Sequence, residues 1–389
     1  MNRQLWLLAL CQGLFLTNNV TFIAINGLVG LNLAPLGWMA TLPVMGYVVG
    51  GALTTGLVAR TQRRYGRRGS FQIGLAVAFG AALLCAWAVS SKSFWLLIAA
   101  TMTAGYYNAN ANLYRFAAAE LAAPVWREKA VSVVLAGGLI GAVAGPNLAA
   151  LTRGWIAAPF AGAYLALAAV ALLAMAVMRC IEFPPSPANQ AARGGRPLGE
   201  IMRQPVFMVA AAAGALGYGV MSLLMAATPI AMQICSLPFE DVALVLEWHV
   251  IGMFAPGFFT GHLIRRFGTL PVMAVGLALN IVCVLIALSG IEFRQFVIAL
   301  FLLGLGWNFL FTGATTLALT AYRPEEKDKA QGALNFCVFA VLAVSSLASG
   351  VLVTTQGWTL LNLGSLLPLA LTGLALAWLG LGRRWRREA

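Results

Sequence analysis

Tyr107-Asn108 … Pro124 … Lys129-Ala130 is followed 200 residues later by Trp307-Asn308 … Pro324 … Lys329-Ala330, with the offset held throughout. A second pair agrees: Thr55-Gly56-Leu57-Val58-Ala59-Arg60 against Thr260-Gly261-His262-Leu263-Ile264-Arg265, offset by 205. Arg64-Tyr65-Gly66 against Arg266-Phe267-Gly268 is offset by 202, so one loop carries a small insertion. A chain that writes one apolar pattern twice builds two similar bundles. Duplicated hydrophobic halves with a solute site between them are a mark of secondary transporters. The period is too long for a solenoid or a propeller.

The composition fits that reading. Apolar residues make up 61% of the 389 and charged residues 10%, against roughly a quarter charged in soluble domains. Met1-Asn2-Arg3-Gln4 leads into an apolar run that passes Ile25 without a small-residue cleavage site, which reads as a retained first helix. Cys11, Cys85, Cys180, Cys235, Cys283 and Cys337 are scattered through apolar segments with no C-x-x-C pair. They read as small hydrophobes, not disulfides or metal ligands.

A span needs about 20 mostly apolar residues to cross the hydrocarbon. Twelve are predicted: 5–31, 38–59, 70–91, 94–121, 130–152, 158–180, 206–235, 242–264, 270–290, 294–321, 330–353 and 358–382. The net charge of +13 is not a nucleic-acid stripe, because 21 of the 25 Lys and Arg fall at the termini, in loops after even-numbered spans, or in the middle linker. Only Lys92, Arg153 and Arg294 lie on the other side, and Arg115 lies inside a span. That bias predicts a multi-pass protein of the bacterial inner membrane with both termini in the cytoplasm. The expected organisation is an N-terminal bundle over 1–181, a cytoplasmic linker over 182–205 and a C-terminal bundle over 206–389. The linker carries Pro184, Pro185, Pro187 and Gly194-Gly195, and Pro197 to Gln204 is expected to form a short interfacial helix.

Twelve spans in two six-helix halves, with a basic loop after spans 2 and 8 and a Gly/Pro-rich span 5, resemble the major facilitator superfamily over essentially the whole chain. Gly56 … Arg63-Arg64-Tyr65-Gly66-Arg67-Arg68 resembles that family's inter-helix signature, Gly-x-Leu-Ala-Asp-Arg-x-Gly-Arg-Arg, but Arg63 stands where the pattern has Asp. The second copy, around Arg265-Arg266-Phe267-Gly268, also lacks the acid. Gly141 … Gly145-Pro146 of span 5 looks like the Gly-x-x-x-Gly-Pro signature of the family's antiporters. The resemblance implies an all-α fold whose halves rock about a central site lined by spans 1, 4, 7 and 10. It also inclines the expectation toward export by antiport.

Polar groups in hydrocarbon are costly and mark a pathway or pair with each other. Span 1 carries Asn18 and Asn19. Span 4 is the richest, with Tyr107, Asn108, Asn112 and Arg115; the last three share one face at i, i+4 and i+7. Span 10 repeats the idea with Trp307, Asn308 and Thr312, and span 7 adds Tyr218. These are the expected solute-binding residues; inter-helix hydrogen bonding is the competing reading. Arg115 either holds an anionic solute, forms a structural ion pair with Glu120 or a loop carboxylate, or snorkels to the inner interface. Glu247 is the one carboxylate well inside a span, with His249 two residues on. They are the expected proton-coupling pair, against the reading of a membrane-edge Glu bonded to a neighbouring helix. The arginines 60, 63, 64, 67 and 68, with Arg64 and Arg67 foremost, are expected to meet carboxylates among Glu120, Glu128, Glu325, Glu326 and Asp328. Such pairs would close the cytoplasmic side in the outward-open state. Glu120 should matter most, and Gly141, Gly145 and Pro146 should serve the same movement.

The reading reached is a proton-coupled secondary transporter, not an enzyme, for a small organic solute that is uncharged or weakly anionic and amphipathic or aromatic. Its expected partners are that solute, protons and the lipid bilayer, with the chain acting as a monomer. No cofactor or metal is called for. A membrane-embedded enzyme for lipid-like substrates and a non-transporting receptor are the rival classes; against the enzyme stands the lack of a metal, His/Glu or nucleotide motif.

Overall fold

The computed structural model describes residues 3–123, 127–184, 195–323 and 326–388. Pro124, Pro324 and Glu325 fall outside them, as does most of the linker, and so do the side chains of Arg127, Glu128, Lys129, Lys327 and Asp328. The described residues form fifteen α-helices and one 3-10 turn. Helix α1 (Arg3–Leu33) is span 1; α2 (Leu42–Ser90) holds spans 2 and 3; α3 (Phe94–Ala111) with α4 (Tyr114–Glu120) is span 4. Helices α5 (Arg127–Ala136) and α6 (Gly138–Thr152) make span 5, and α7 (Ala161–Arg179) is span 6. After the linker helix α8 (Leu198–Met202) come α9 (Pro205–Ile234) and the bent pair α10 (Phe239–Phe254) and α11 (Gly257–Phe267), spans 7 and 8. Spans 9 to 12 are α12 (Thr269–Leu288), α13 (Phe293–Leu319), α14 (Lys327–Thr355) and α15 (Gly357–Glu388).

The twelve-span, all-helical expectation holds, and the differences are local. The basic loop expected at 60–69 is helical, with only Gly66 outside helical geometry, at φ 68°. The chain nevertheless reverses there: the hydroxyls of Thr61 and Ser70 are 2.8 Å apart, whereas nine residues of straight helix would separate them by roughly 13 Å. Glycine supplies the positive φ without a side-chain clash. Span 8, expected as one helix, bends by 41° at its break, just where Pro256 interrupts the hydrogen-bond ladder. Span 4 breaks after Ala111 because the Asn112 side chain donates back to the Asn108 carbonyl at 2.8 Å, competing with the helical ladder. The short helix expected in the linker forms as α8.

The two halves are joined at one end. One apolar core there runs through both halves, including Ile25, Leu28 and Tyr47 of the first and Leu224, Ile230 and Val245 of the second. At the arginine-rich end the buried cores are separate, with Phe254 of span 8 touching the first-half core at its mid-membrane edge. The first half has Leu5, Phe15, Tyr107, Tyr114 and Met178; the second has Val209, Met273 and Leu310. The glycine face of span 5 lies against span 1 within the first half. A Cβ at Gly141 would come 2.5 Å from the backbone of Leu16 and Thr17, and Thr21 donates to the Gly145 carbonyl at 2.8 Å.

Candidate functional site

Spans 1, 4, 7, 8 and 10 bring two unlike surfaces to the seam between the halves. The first-half surface is polar. Asn108 sits against Gly51 of span 2, and its Oδ1 accepts from Asn112 Nδ2 at 3.1 Å. Tyr107 turns away from this face: its ring is edge-on to Phe15 of span 1 at 5.4 Å. Beyond the break in span 4, the Arg115 guanidinium lies over the Phe116 ring, 4.9 Å from its centroid. It is within electrostatic reach of the Tyr218 hydroxyl in the facing half. Its Nε is buried without a hydrogen-bond partner. Asn19 donates to the Tyr47 hydroxyl at 3.3 Å, and Tyr47 in turn lies within electrostatic reach of Tyr218.

The second-half surface is aromatic. Trp307 stacks on Phe311 with centroids 5.1 Å apart and planes 10° off parallel. Tyr218 lies 5.2 Å from both rings, and Phe254 of span 8 closes the group at 6.2 Å from Trp307. The Trp307 indole nitrogen is buried and unpaired. Such tilted and stacked rings, 4.5–7 Å apart, form a rigid apolar platform.

Several expected site residues lie elsewhere. Asn18 is nine residues, or two and a half turns, from Gly27, which meets Ile230 of span 7; it therefore points back into the first half, while its neighbour Asn19 faces the seam. Asn308 is held within the second half: it accepts from the Thr260 hydroxyl at 2.6 Å and donates to the Met253 carbonyl at 2.7 Å. Thr312 is one residue beyond the platform on the span 8 and 9 side. His249 is buried, with Nδ1–H donating to the Leu300 carbonyl at 2.6 Å. It does not touch Glu247. Glu247 instead accepts from Asn147 of the other half at 2.9 Å, on a face of span 5 whose neighbours Val143 and Leu151 are exposed and apolar. It stitches the rim of the joined end and does not point at the seam.

Further contacts join that end, among them Phe160 edge-on to Phe239 at 5.2 Å. Arg153 pairs with Glu240 at 2.8 Å, and the Thr41 hydroxyl donates to the Ser346 carbonyl at 2.5 Å while accepting from Gly350 N–H at 3.1 Å.

The gating pairs also differ from expectation. Arg67 clasps Glu120 through two bonds, at 2.6 and 3.0 Å, so Arg115 loses that carboxylate as a partner. Both residues belong to the first half, so this pair ties the span 2–3 turn to the end of span 4 and cannot by itself hold the two halves together. Arg64 lies over the Tyr65 ring next to it. Glu326, fully buried, is taken by Arg196 of the linker at 2.7 Å, and not by Arg265 or Arg266. Arg196 and the Arg323 backbone N–H hold its carboxyl well below the usual carboxylate range, which locks the linker end to the span 10–11 turn.

Sequence reasoning missed Phe311, Tyr47, Phe254 and Asn147. Phe311 stands at i+4 from Trp307, so helical spacing from an aromatic could have found it. Asn147 carried a polar signal in an apolar run. Separately, an apolar groove of about 450 Å³ between spans 2, 3 and 4, lined by Leu53, Leu57, Ile73 and Val77 among others, contains none of the expected site residues. It lies on the face of span 4 opposite Asn108 and Arg115.

Comparison with known proteins now fixes the class. The sequence profile of the Major Facilitator Superfamily matches residues 5–255 and 216–388, and the chain belongs to that family. It is 39% identical over 363 residues to the riboflavin transporter RfnT of Brucella anthropi, covering 92% of this chain and 91% of that one. In fold it is similar to a bacterial homologue of the human lysosomal transporter Spinster, solved in an inward-facing and occupied conformation. That match has a TM-score of 0.74 at 14% identity, over 98% of this chain and 96% of the other. The human organic anion transporter MFSD10 matches with a TM-score of 0.68 at 15% identity, over 96% and 99%. The chain is thus a multi-pass membrane transporter of a small-molecule solute, and not an enzyme.

Proposed function

We propose that this transporter carries riboflavin or a closely related flat heteroaromatic solute, seated at the seam between the polar first half and the aromatic second half. The carrying observation is the stacked Trp307–Phe311 platform with Tyr218, together with Arg115, whose buried Nε has no hydrogen-bond partner. A planar ring finds stacking area there, and 39% identity to RfnT across nearly the whole chain supports the same solute class.

Alternating access follows from the same geometry. The halves are joined at one end and have separate cores at the arginine-rich end. With the arginine-rich loops inside, as the charge bias favours, this is an inward-facing state of a chain with both termini in the cytoplasm. Proton coupling belongs to the proposal through Glu247, whose bond to Asn147 crosses between the halves. A carboxylate accepts that bond more strongly than the neutral acid, so protonation eases parting of the joined end. The Gly141 and Gly145 resemblance to antiporters says less about direction, because both glycines are occupied in seating span 5 on span 1.

The test is riboflavin flux in proteoliposomes holding the purified monomeric protein, measured in both directions with and without a pH gradient. Saturable flux that responds to the gradient is expected. Flux no greater than in protein-free vesicles, in either direction, rejects the proposal.

A further inference from the structure

We propose that the seam recognises a hydrogen-bond acceptor edge on its flat solute through two donors, one from each half: the Arg115 guanidinium and the Trp307 indole N–H. This deepens the proposed function and rests on its placing of the solute. Buried donors without partners are rare in native proteins, and the seam holds two. Arg115 Nε and Trp307 Nε1 are both sealed and unpaired. Trp307 is 7% exposed. Among the described residues no carboxylate lies within ion-pair distance of Arg115, and the nearest acid in sequence, Glu120, is clasped by Arg67.

Two acceptors of the same surface are already engaged. Asn108 Oδ1 takes Asn112, and the Tyr47 hydroxyl takes Asn19. Asn308, the repeat counterpart of Asn108, is spent on Thr260 and Met253. The two sealed donors therefore lack acceptors, and a solute that satisfies them must bring its own. Of the other unpaired buried groups, Ser346 Oγ lies where the joined end meets Thr41, away from the aromatic platform, and others lie inside one half. Asn280, for example, abuts Gly306 between spans 9 and 10.

The platform beside Trp307 calls for a planar ring, and the two donors call for carbonyls on its edge. The pyrimidinedione end of an alloxazine, with two carbonyls flanking an N–H, has that form. A tricycle of the same shape without carbonyls does not. Because one donor belongs to each half, a solute that engages both draws the halves together. Binding then favours the closed seam by the difference in contacts between the two states.

The experiment compares lumichrome, which has the carbonyl edge, with phenazine, which has the tricycle alone. Binding is measured to the detergent-purified full chain, with thermal unfolding recorded for every variant. In the wild type, lumichrome should bind roughly tenfold or more tightly than phenazine, as expected when a site built to hydrogen-bond is offered a ligand that cannot. Trp307→Phe keeps a ring on the platform and removes the donor; Arg115→Gln removes the charge and the fork. Each should weaken lumichrome by roughly tenfold and leave phenazine within about twofold. Arg115→Lys should recover part of the loss, because it keeps the charge but not the planar fork.

If wild-type protein binds both probes equally, the inference is overturned whether or not the variants fold. An intact lumichrome preference in both folded variants overturns it too. Riboflavin transport alongside either result leaves the proposed function standing. Absent riboflavin flux, with a lumichrome preference that both variants lose, upholds the inference and rejects riboflavin as the cargo. Binding of neither probe rejects the inference outright.

Discussion

Asn108 and Asn308 occupy the same place in two copies of one pattern, and the structure uses them differently. Asn108 lies against Gly51 of span 2 in its own half and accepts a bond from Asn112. Asn308 turns into its own half and fastens span 10 to span 8 through Thr260 and Met253. The neighbouring pair keeps its facing and changes its chemistry: Tyr107 packs on Phe15 of span 1, and Trp307 packs on Tyr218 of span 7 and heads the aromatic platform. Duplication has preserved the helices and the facing of these positions, toward spans 1 and 2 or spans 7 and 8 of their own half, but not the side chains or the bonds they make. The result is an asymmetric site, with hydrogen-bonding groups on one wall and rings on the other. Such a site suits a solute with a flat apolar body and a polar edge.

The contrast between the halves can be broken or sharpened by substitution. The largest effect is expected at the close backbone approach of span 5 to span 1 within the first half. Gly141→Val places atoms against the backbone of Leu16 and Thr17 and should cost about 3 kcal/mol or more. The yield of monodisperse protein on size exclusion reads that loss. At Gly261 nothing lies within 4 Å of an added Cβ, so Gly261→Ala should leave the yield unchanged.

Next in size is Glu247→Gln at the joined rim. Flux driven by a pH gradient should disappear while solute exchange across equal pH persists, because the amide cannot take up a proton. Gradient-driven transport at the wild-type rate would remove Glu247 from the coupling.

The paired asparagines give an intermediate effect and the sharpest contrast. Asn308→Ala strands the Met253 carbonyl in a buried site and should lower stability by about 1–3 kcal/mol, seen as a drop in Tm. Asn108→Ala should leave Tm nearly unchanged and weaken solute binding. Equal Tm losses in the two variants would make them structural twins and undo the asymmetry.

Smallest is Glu120→Gln. Its pair with Arg67 is partly exposed and internal to the first half, and such pairs contribute about 0–1 kcal/mol. Cysteine labelling at the arginine-rich end of the seam should therefore stay at the wild-type rate. A marked rise in labelling would restore the pair as a gate.

Much of the fold was legible in the sequence because apolar length, charge bias and the repeat are local or additive signals. The arginines 60 to 68 marked a side of the membrane, but not that the chain stays helical through them and reverses on Gly66. The Asn108–Asn112 contact was legible from spacing within one helix, but the break after Ala111, which puts Arg115 on a separate helix, was not. Nor was the wall that this contact meets, since rotation of a span about its axis is fixed by its neighbours. Asn18 and Asn19 show this at single-residue resolution: adjacent in sequence, one faces the first half's interior and the other the seam. Long-range ties such as Asn147–Glu247 and Arg196–Glu326 join residues 100 and 130 positions apart, beyond any spacing rule.

The central claim is that a flat solute sits on the Trp307–Phe311 platform opposite Arg115. Its most direct test is a riboflavin titration of the purified protein, followed by quenching of flavin fluorescence, in wild type and in Trp307→Ala, with thermal unfolding of both as the folding check. The account predicts saturable quenching in the wild type that is lost in a Trp307→Ala protein that still unfolds cooperatively. The same saturable titration in the wild type and the variant would contradict it.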